Sequence, residues 1–144
     1  MPHYNDTVAS SLSATELFDY MADFTNAADW DPGTKAAKRL DEGPPRVGSR
    51  FELIVEFAGS ESPFIYEITE LDSPSRVVLR ADTDAVHLTD TMTVAERGAG
   101  SELTYDARLE LKGWRKLGGP VMALLFRRLC ERGRRGLERE LNPG

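Results

Sequence analysis

Between Phe51 and Lys112 apolar and polar side chains alternate segment after segment, and no other feature restricts the fold of this chain as much. A strand turns successive side chains to opposite faces, so a period of two gives each segment one apolar and one polar face. Phe51, Leu53, Val55 and Phe57 alternate with Glu52 and Glu56, and Phe64, Tyr66 and Ile68 with Glu67 and Thr69. Val77, Leu79 and Ala81 alternate with Arg76, Arg80 and Asp82. Leu88, Met92 and Val94 share a parity with Asp90, while Leu103, Tyr105, Ala107, Leu109 and Leu111 alternate with Asp106, Arg108 and Glu110. Turn sequences such as Ala58-Gly59-Ser60, Asp72-Ser73-Pro74 and Gly98-Ala99-Gly100 separate the segments. Short turns between consecutive strands predict an antiparallel meander with one apolar face to cover.

The elements on either side supply the cover. Tyr4 to Ser10 reads as a further strand, and Ser13 with Glu16 forms a capping box that opens a helix from about Ala14 to Asp23. Leu17, Tyr20, Met21 and Phe24 follow at helical spacing, and a helical turn from Asn26 to Trp30 ends at Asp31-Pro32-Gly33. After Gly113 the period changes: Leu117, Val121, Leu124, Leu125, Leu129, Leu137 and Leu141 mark one face of a long helix, with Gly118-Gly119-Pro120 at its start and Asn142-Pro143-Gly144 as its stop. That helix is the only element large enough to cover the sheet. The expected architecture is an α+β helix grip, in which a curved antiparallel sheet wraps a long C-terminal helix and two short helices follow the first strand. Residues 1–144 read as one domain.

Charge and cysteine content narrow the classes of function. The 144 residues carry a net charge of −6. From Lys112 onward, nine Lys or Arg and three Glu give a local +6, which leaves −12 for everything before. An acidic body with a basic helix does not suit general nucleic-acid binding, where phosphate contacts dominate affinity. Lysine occurs only at Lys35, Lys38, Lys112 and Lys116, an arginine-heavy usage that fits a GC-rich, bacterial genome. Cys130 is the single cysteine and His3 and His87 the only histidines, so neither a disulfide nor a metal site is expected. Strings that mark nucleotide-binding and common hydrolase sites do not occur, and no cofactor is expected. The longest apolar run, Val121 to Phe126, falls short of the roughly 20 residues that span a bilayer. The N-terminal segment lacks the pattern of a secretory signal. A cytoplasmic protein without stable membrane insertion is the expectation.

Three stretches bear a family resemblance. Glu16-Leu17-Phe18-Asp19-Tyr20-Met21-Ala22-Asp23-Phe24, followed by Trp30-Asp31-Pro32-Gly33, is similar to a helix that ends in an aspartate and leads to a W-x-P turn. Val47-Gly48-Ser49-Arg50-Phe51 and Gly100-Ser101-Glu102-Leu103-Thr104-Tyr105 are similar to the strand entries of the same group. Over nearly its whole length the chain resembles the START-like (SRPBCC, Bet v 1-like) superfamily and in detail its polyketide cyclase/dehydrase branch. The resemblance implies a deep cavity under the C-terminal helix, filled in different members by lipids, hormones, polyketides, quinones or aromatic ligands. No stretch matches a cyclase motif residue by residue.

The inward parity selects the candidate site. Asp90 is a carboxylate among apolar neighbours, which is costly unless it is paired. It is a candidate acid, base or ligand anchor, set against the plainer and preferred reading that it sits at a wet strand end or that a bulge reverses its parity. Tyr66 and Tyr105 join it as acid/base candidates, since a phenol offers a ring and one polar tip. Candidate ligand contacts are Phe51, Leu53, Val55, Tyr66, Leu79, Asp90, Met92 and Tyr105 on the sheet, with Leu125 on the long helix. Trp30 either lines the cavity mouth or anchors the short helices, the second being preferred. His87, on the opposite parity, is expected to face solvent, and Cys130 to act as a small hydrophobe. The leading expectation is a binder or carrier of an apolar or aromatic small molecule. The alternatives are a polyketide cyclase, aromatase or dehydratase, and a module whose basic helix docks a protein or membrane. The last predicts a filled core. A homodimer is left open.

Overall fold

The computed structural model describes residues 3–57, 59–113 and 119–142. Its strands are β1 (His3–Ser10), β2 (Thr34–Arg39), β3 (Arg50–Phe57), β4 (Ser60–Asp72), β5 (Arg76–Asp82), β6 (Val86–Arg97) and β7 (Gly100–Leu111). They pair antiparallel in the order β1-β7-β6-β5-β4-β3-β2, so β2 to β7 form a meander and β1 closes onto β7. The helices are α1 (Ala14–Ala22), α2 (Ala27–Trp30), with a 3-10 turn at Phe24–Asn26 before it, and α3 (Gly119–Glu140). This is the expected α+β helix grip, a curled sheet holding a long C-terminal helix.

Strand β2 is the element that sequence pattern does not announce. Thr34-Lys35-Ala36-Ala37-Lys38-Arg39 has no alternation of apolar side chains and pairs on one side only, with β3, through a register shift between Thr34 and Ala36. As an edge strand it needs a partner backbone more than a buried face, and its lysines discourage pairing with another chain.

The inward parity holds along the meander apart from a register shift between Ile68 and Glu70 of β4. Tyr66 lies opposite Phe51 and Ala81, Asp90 opposite Leu79 and Ala107, and Met92 opposite Tyr105. Helix α1 packs over β6 and β7. Its capping box is formed: the Glu16 amide donates to Ser13 Oγ at 3.1 Å, and the Ser13 amide donates to Glu16 Oε1 at 3.3 Å. Leu17, Phe18 and Met21 from α1, with Phe24, enter one buried core with Phe51, Ile68, Leu79, Met92 and Leu103.

Helix α3 buries only part of the face its leucines mark. Val121 and Leu124 are 67% and 52% exposed, whereas Phe126, Gly133, Gly136, Leu137 and Leu141 are buried. The physical reason is close approach. A Cβ on Gly136 would lie 1.6 Å from the Trp30 carbonyl oxygen, and one on Gly133 would touch the Trp30 ring at 3.4 Å. The two glycines let the backbone of α3 rest on α2, which fixes the helix's rotation; glycine carries no apolar signal in a sequence. Leu117, Gly118, Pro143 and Gly144 lie outside the described residues. The helix end is pinned to β1: Ser10 Oγ donates to the Leu141 carbonyl at 2.7 Å and Asn142 Nδ2 to the Ala9 carbonyl at 2.9 Å.

Candidate functional site

The close backbone contacts of α3 are with β1, β7 and α2. Between the helix and the middle of the sheet lies a cavity of about 800 Å³. Its floor comes from the inward positions of five strands: Tyr4 and Val8 on β1, Leu53 and Val55 on β3, Phe64 and Tyr66 on β4, Leu88 and Asp90 on β6, and Tyr105, Ala107, Leu109 and Leu111 on β7. Met122, Phe126, Leu129 and Cys130 of α3 form the roof, and Trp30 stands at the wall. The size is within the range of small-molecule sites, and the lining is mainly apolar with a few convergent polar groups.

Asp90 is 7% exposed and sits mid-strand in unbroken register with both neighbours. The wet strand end and the bulge are therefore both excluded. The Tyr105 hydroxyl donates to Asp90 Oδ2 at 2.5 Å. Among the described residues this is the only hydrogen bond to the Asp90 side chain. Tyr66 is 7% exposed and lines the same space, and its hydroxyl has no partner among the described residues. The rings interlock: Trp30 meets Tyr105 edge-on at 5.7 Å between centroids, Phe24 meets Tyr66 at 5.0 Å, and Phe24 meets Trp30 at 6.3 Å. Trp30 both packs and lines the cavity.

Burial pushes the Asp90 carboxyl up to about 7; the Tyr105 hydrogen bond opposes the rise, and the charges of Asp31 and Asp106 add to it. Burial, then the Asp90 charge, holds the Tyr66 and Tyr105 phenols well above their ordinary value. The Cys130 thiol is raised for the same two reasons and stays protonated, as a small hydrophobe does. Asp31 also faces the cavity. Its Oδ1 accepts the Gly33 amide and its Oδ2 the Thr34 hydroxyl, both at 2.9 Å, and burial raises its carboxyl against those two bonds.

Among the residues selected from sequence, the fold thus gathers Trp30, Leu53, Val55, Tyr66, Asp90 and Tyr105 around one space. Phe51, Leu79 and Met92 face inward as expected, but beneath the short helices, where they are fully buried away from the cavity. Leu125 is turned outward onto a smaller surface hollow beside Pro32, Gly33 and Glu56, a consequence of the rotation set by Gly133 and Gly136. His87 is half-buried, with Nδ1 3.4 Å from Asp82. The cavity residues missed from sequence include Asp31, Leu88, Leu109, Leu111 and Phe126. Leu88, Leu109 and Leu111 had the right parity; Asp31 sits in a D-P-G turn that reads only as punctuation. No group of three His, Cys, Asp or Glu side chains among the described residues is placed to hold a metal ion.

Residues 1–142 match the family model described as polyketide cyclase / dehydrase and lipid transport. The chain belongs to that family. No curated protein sequence matches it significantly. Several solved structures share the fold of this chain. A START superfamily protein from Mycobacterium smegmatis superposes with a TM-score of 0.80 at 21% identity, covering 96% of each chain. The Zhui aromatase/cyclase from Streptomyces sp. R1128 gives 0.74 at 20% identity, over 94% of this chain and 88% of its own. Major latex-like protein 151 from Panax ginseng gives 0.73 at 12% identity, over 98% and 97%. At such identities the likeness is one of fold. No helix among the described residues is long and apolar enough to cross a membrane.

Proposed function

We propose that this family member binds an apolar, ring-bearing small molecule in the space between the sheet and α3. The observation that carries the reading is the cavity itself, about 800 Å³ with a mainly apolar lining. In this reading Leu53, Val55, Trp30, Tyr66 and Tyr105 contact the ligand's apolar body, and Asp90 anchors its polar end. An unfilled space of this size runs against a pure docking module, whose core has no reason to stay hollow. Native mass spectrometry of the purified protein, then denaturing extraction, tests the reading. A stoichiometric apolar passenger, or saturable uptake of naphthalene-type probes by the empty protein, is expected. An empty protein that takes up neither aromatic probes nor lipids would overturn it.

A second reading, cyclisation, aromatisation or dehydration of a polyketide-like substrate, is favoured by one feature, the Tyr105–Asp90 pair. A carboxyl with a value near 7 gives and takes protons at neutral pH, which is what general acid–base catalysis needs. Turnover of a poly-β-ketone substrate that is lost in Asp90→Asn while binding persists would support it. Binding without turnover leaves a carrier.

A further inference from the structure

We infer that the molecule held in this cavity is a hydrophobic amine, its ammonium seated at the free oxygen of Asp90 among the rings of Trp30, Tyr66 and Tyr105. The inference rests on the binding reading above and adds the charge of the ligand.

Two polar groups face the cavity without partners among the described residues. Tyr105 occupies one oxygen of Asp90, while the other oxygen and the Tyr66 hydroxyl accept or donate nothing among the described residues. Both line the open cavity, where water or a bound ligand can partner them. A ligand group that donates to Asp90 and meets the Tyr66 oxygen satisfies both. Asp31 differs in that each of its oxygens already accepts a hydrogen bond from its own turn.

Hydrogen bonding alone would admit an alcohol; charge separates the alcohol from the amine. The described lining carries four acids, Asp6, Asp31, Asp84 and Asp90, against one base, Arg134. Arg134 is already taken by Asp6 at 3.3 Å, Glu131 at 3.5 Å and Glu138. No cation of the described lining reaches Asp90, so its ionised form lacks a counter-charge until something enters. An ammonium supplies one, and the aromatic side chains of Trp30, Tyr66 and Tyr105 in the same lining suit the apolar body that carries it. A carboxylate ligand meets the opposite field, which argues against free fatty acids as occupants. The groups facing Asp90 are Tyr105 on β7, Tyr66 on β4, Cys130 on α3 and Asp31 after α2, with the charge of Asp106 behind β7. The two phenols and the thiol are all raised and keep their protons near neutrality. Deprotonation of Asp90, together with that of the raised Asp31 carboxyl facing it, therefore governs the pH response of amine binding.

The test is calorimetric titration of the wild-type protein with naphthylethylamine, naphthylethanol and naphthylpropionate, which share one ring system and differ in the end group. The amine is expected to bind tightest, by about tenfold over the alcohol, with the propionate weakest. Amine affinity should rise from about pH 6 to about pH 8 as Asp90 ionises, while that of the alcohol stays level. Asp90→Asn should abolish the preference for the amine over the alcohol. If the alcohol or the propionate binds wild type as tightly as the amine, or Asp90→Asn keeps the preference, the inference falls and the cavity reading stands. If none of the three binds, both fall. The wild-type ranking and its pH response decide the matter even if the variant does not fold.

Discussion

The two ends of the sheet's inner face are written in the same alternation, yet one is filled and the other hollow. At the filled end Phe51, Ile68, Leu79, Met92 and Leu103 meet Leu17, Phe18 and Met21 of a nine-residue helix set down by its capping box. At the hollow end Leu53, Val55, Leu88, Leu109 and Leu111 face a 22-residue helix, and about 800 Å³ stays open between them. The lining side chains are alike, so they do not explain the difference. What differs is where the roof is held: α1 lies on β6 and β7, whereas α3 is fastened to β1, β7 and α2 and spans the middle strands. A cavity here is a property of the attachment points. Polar groups follow the same division, for Asp90, Tyr66 and Tyr105 line the hollow end, beside the boundary with the filled one.

Asp90 on that boundary offers the largest test. Its carboxyl lies at about 7 in the folded protein against an ordinary 3.8, so the folded state binds the proton more tightly than the unfolded chain does. The stability this group confers is complete below about pH 4 and is lost as the pH rises to and through 7, on the order of 4 kcal/mol in all. Asp90→Asn should remove that loss, leaving a variant more stable than wild type near pH 8 and little different near pH 4. Urea unfolding at both pH values checks it; parallel behaviour of the two proteins would mean that water reaches the boundary.

Truncation on either side compares the two ends directly. Leu103→Ala opens a hole in the filled end and should cost about 3 kcal/mol, whereas Leu53→Ala enlarges a space already present and should cost about 1 kcal/mol. Equal losses in urea titrations would show that the hollow end is packed in solution. The attachment of the roof is tested by Gly136→Ala. Its methyl would collide with the Trp30 backbone, and the expected loss of about 2 kcal/mol outweighs the gain in helix propensity. Probe binding should weaken as well, since α3 must lift; a stabilised variant would refute the close approach. Ser13→Ala gives the smallest effect, about 1 kcal/mol from the lost cap, and because only the filled end depends on α1, probe affinity should not change.

How much of this was legible beforehand differs from element to element. The strands of the meander and the capping box were readable, because each advertises itself over a few consecutive residues. Strand β2 was not, since an edge strand of Lys and Ala has no apolar period to display. Asp90 had the inward parity, but parity alone could not exclude a bulge; only pairing with both β5 and β7 did. Leu125 was chosen by helical period, which gives the spacing of a face but not the rotation of the helix about its axis.

By itself the sequence determined the period of each patterned segment, hence every element but β2, their order and which strand side chains turn inward, because these depend on neighbours along the chain. Volume and rotation were decided only in the tertiary structure. Gly133 and Gly136 against Trp30 set how α3 is turned, and the ties of its far end to β1 set where it lies. Whether inward side chains touch or leave room depends on the distance between layers, and that distance is fixed by contacts between residues more than a hundred positions apart.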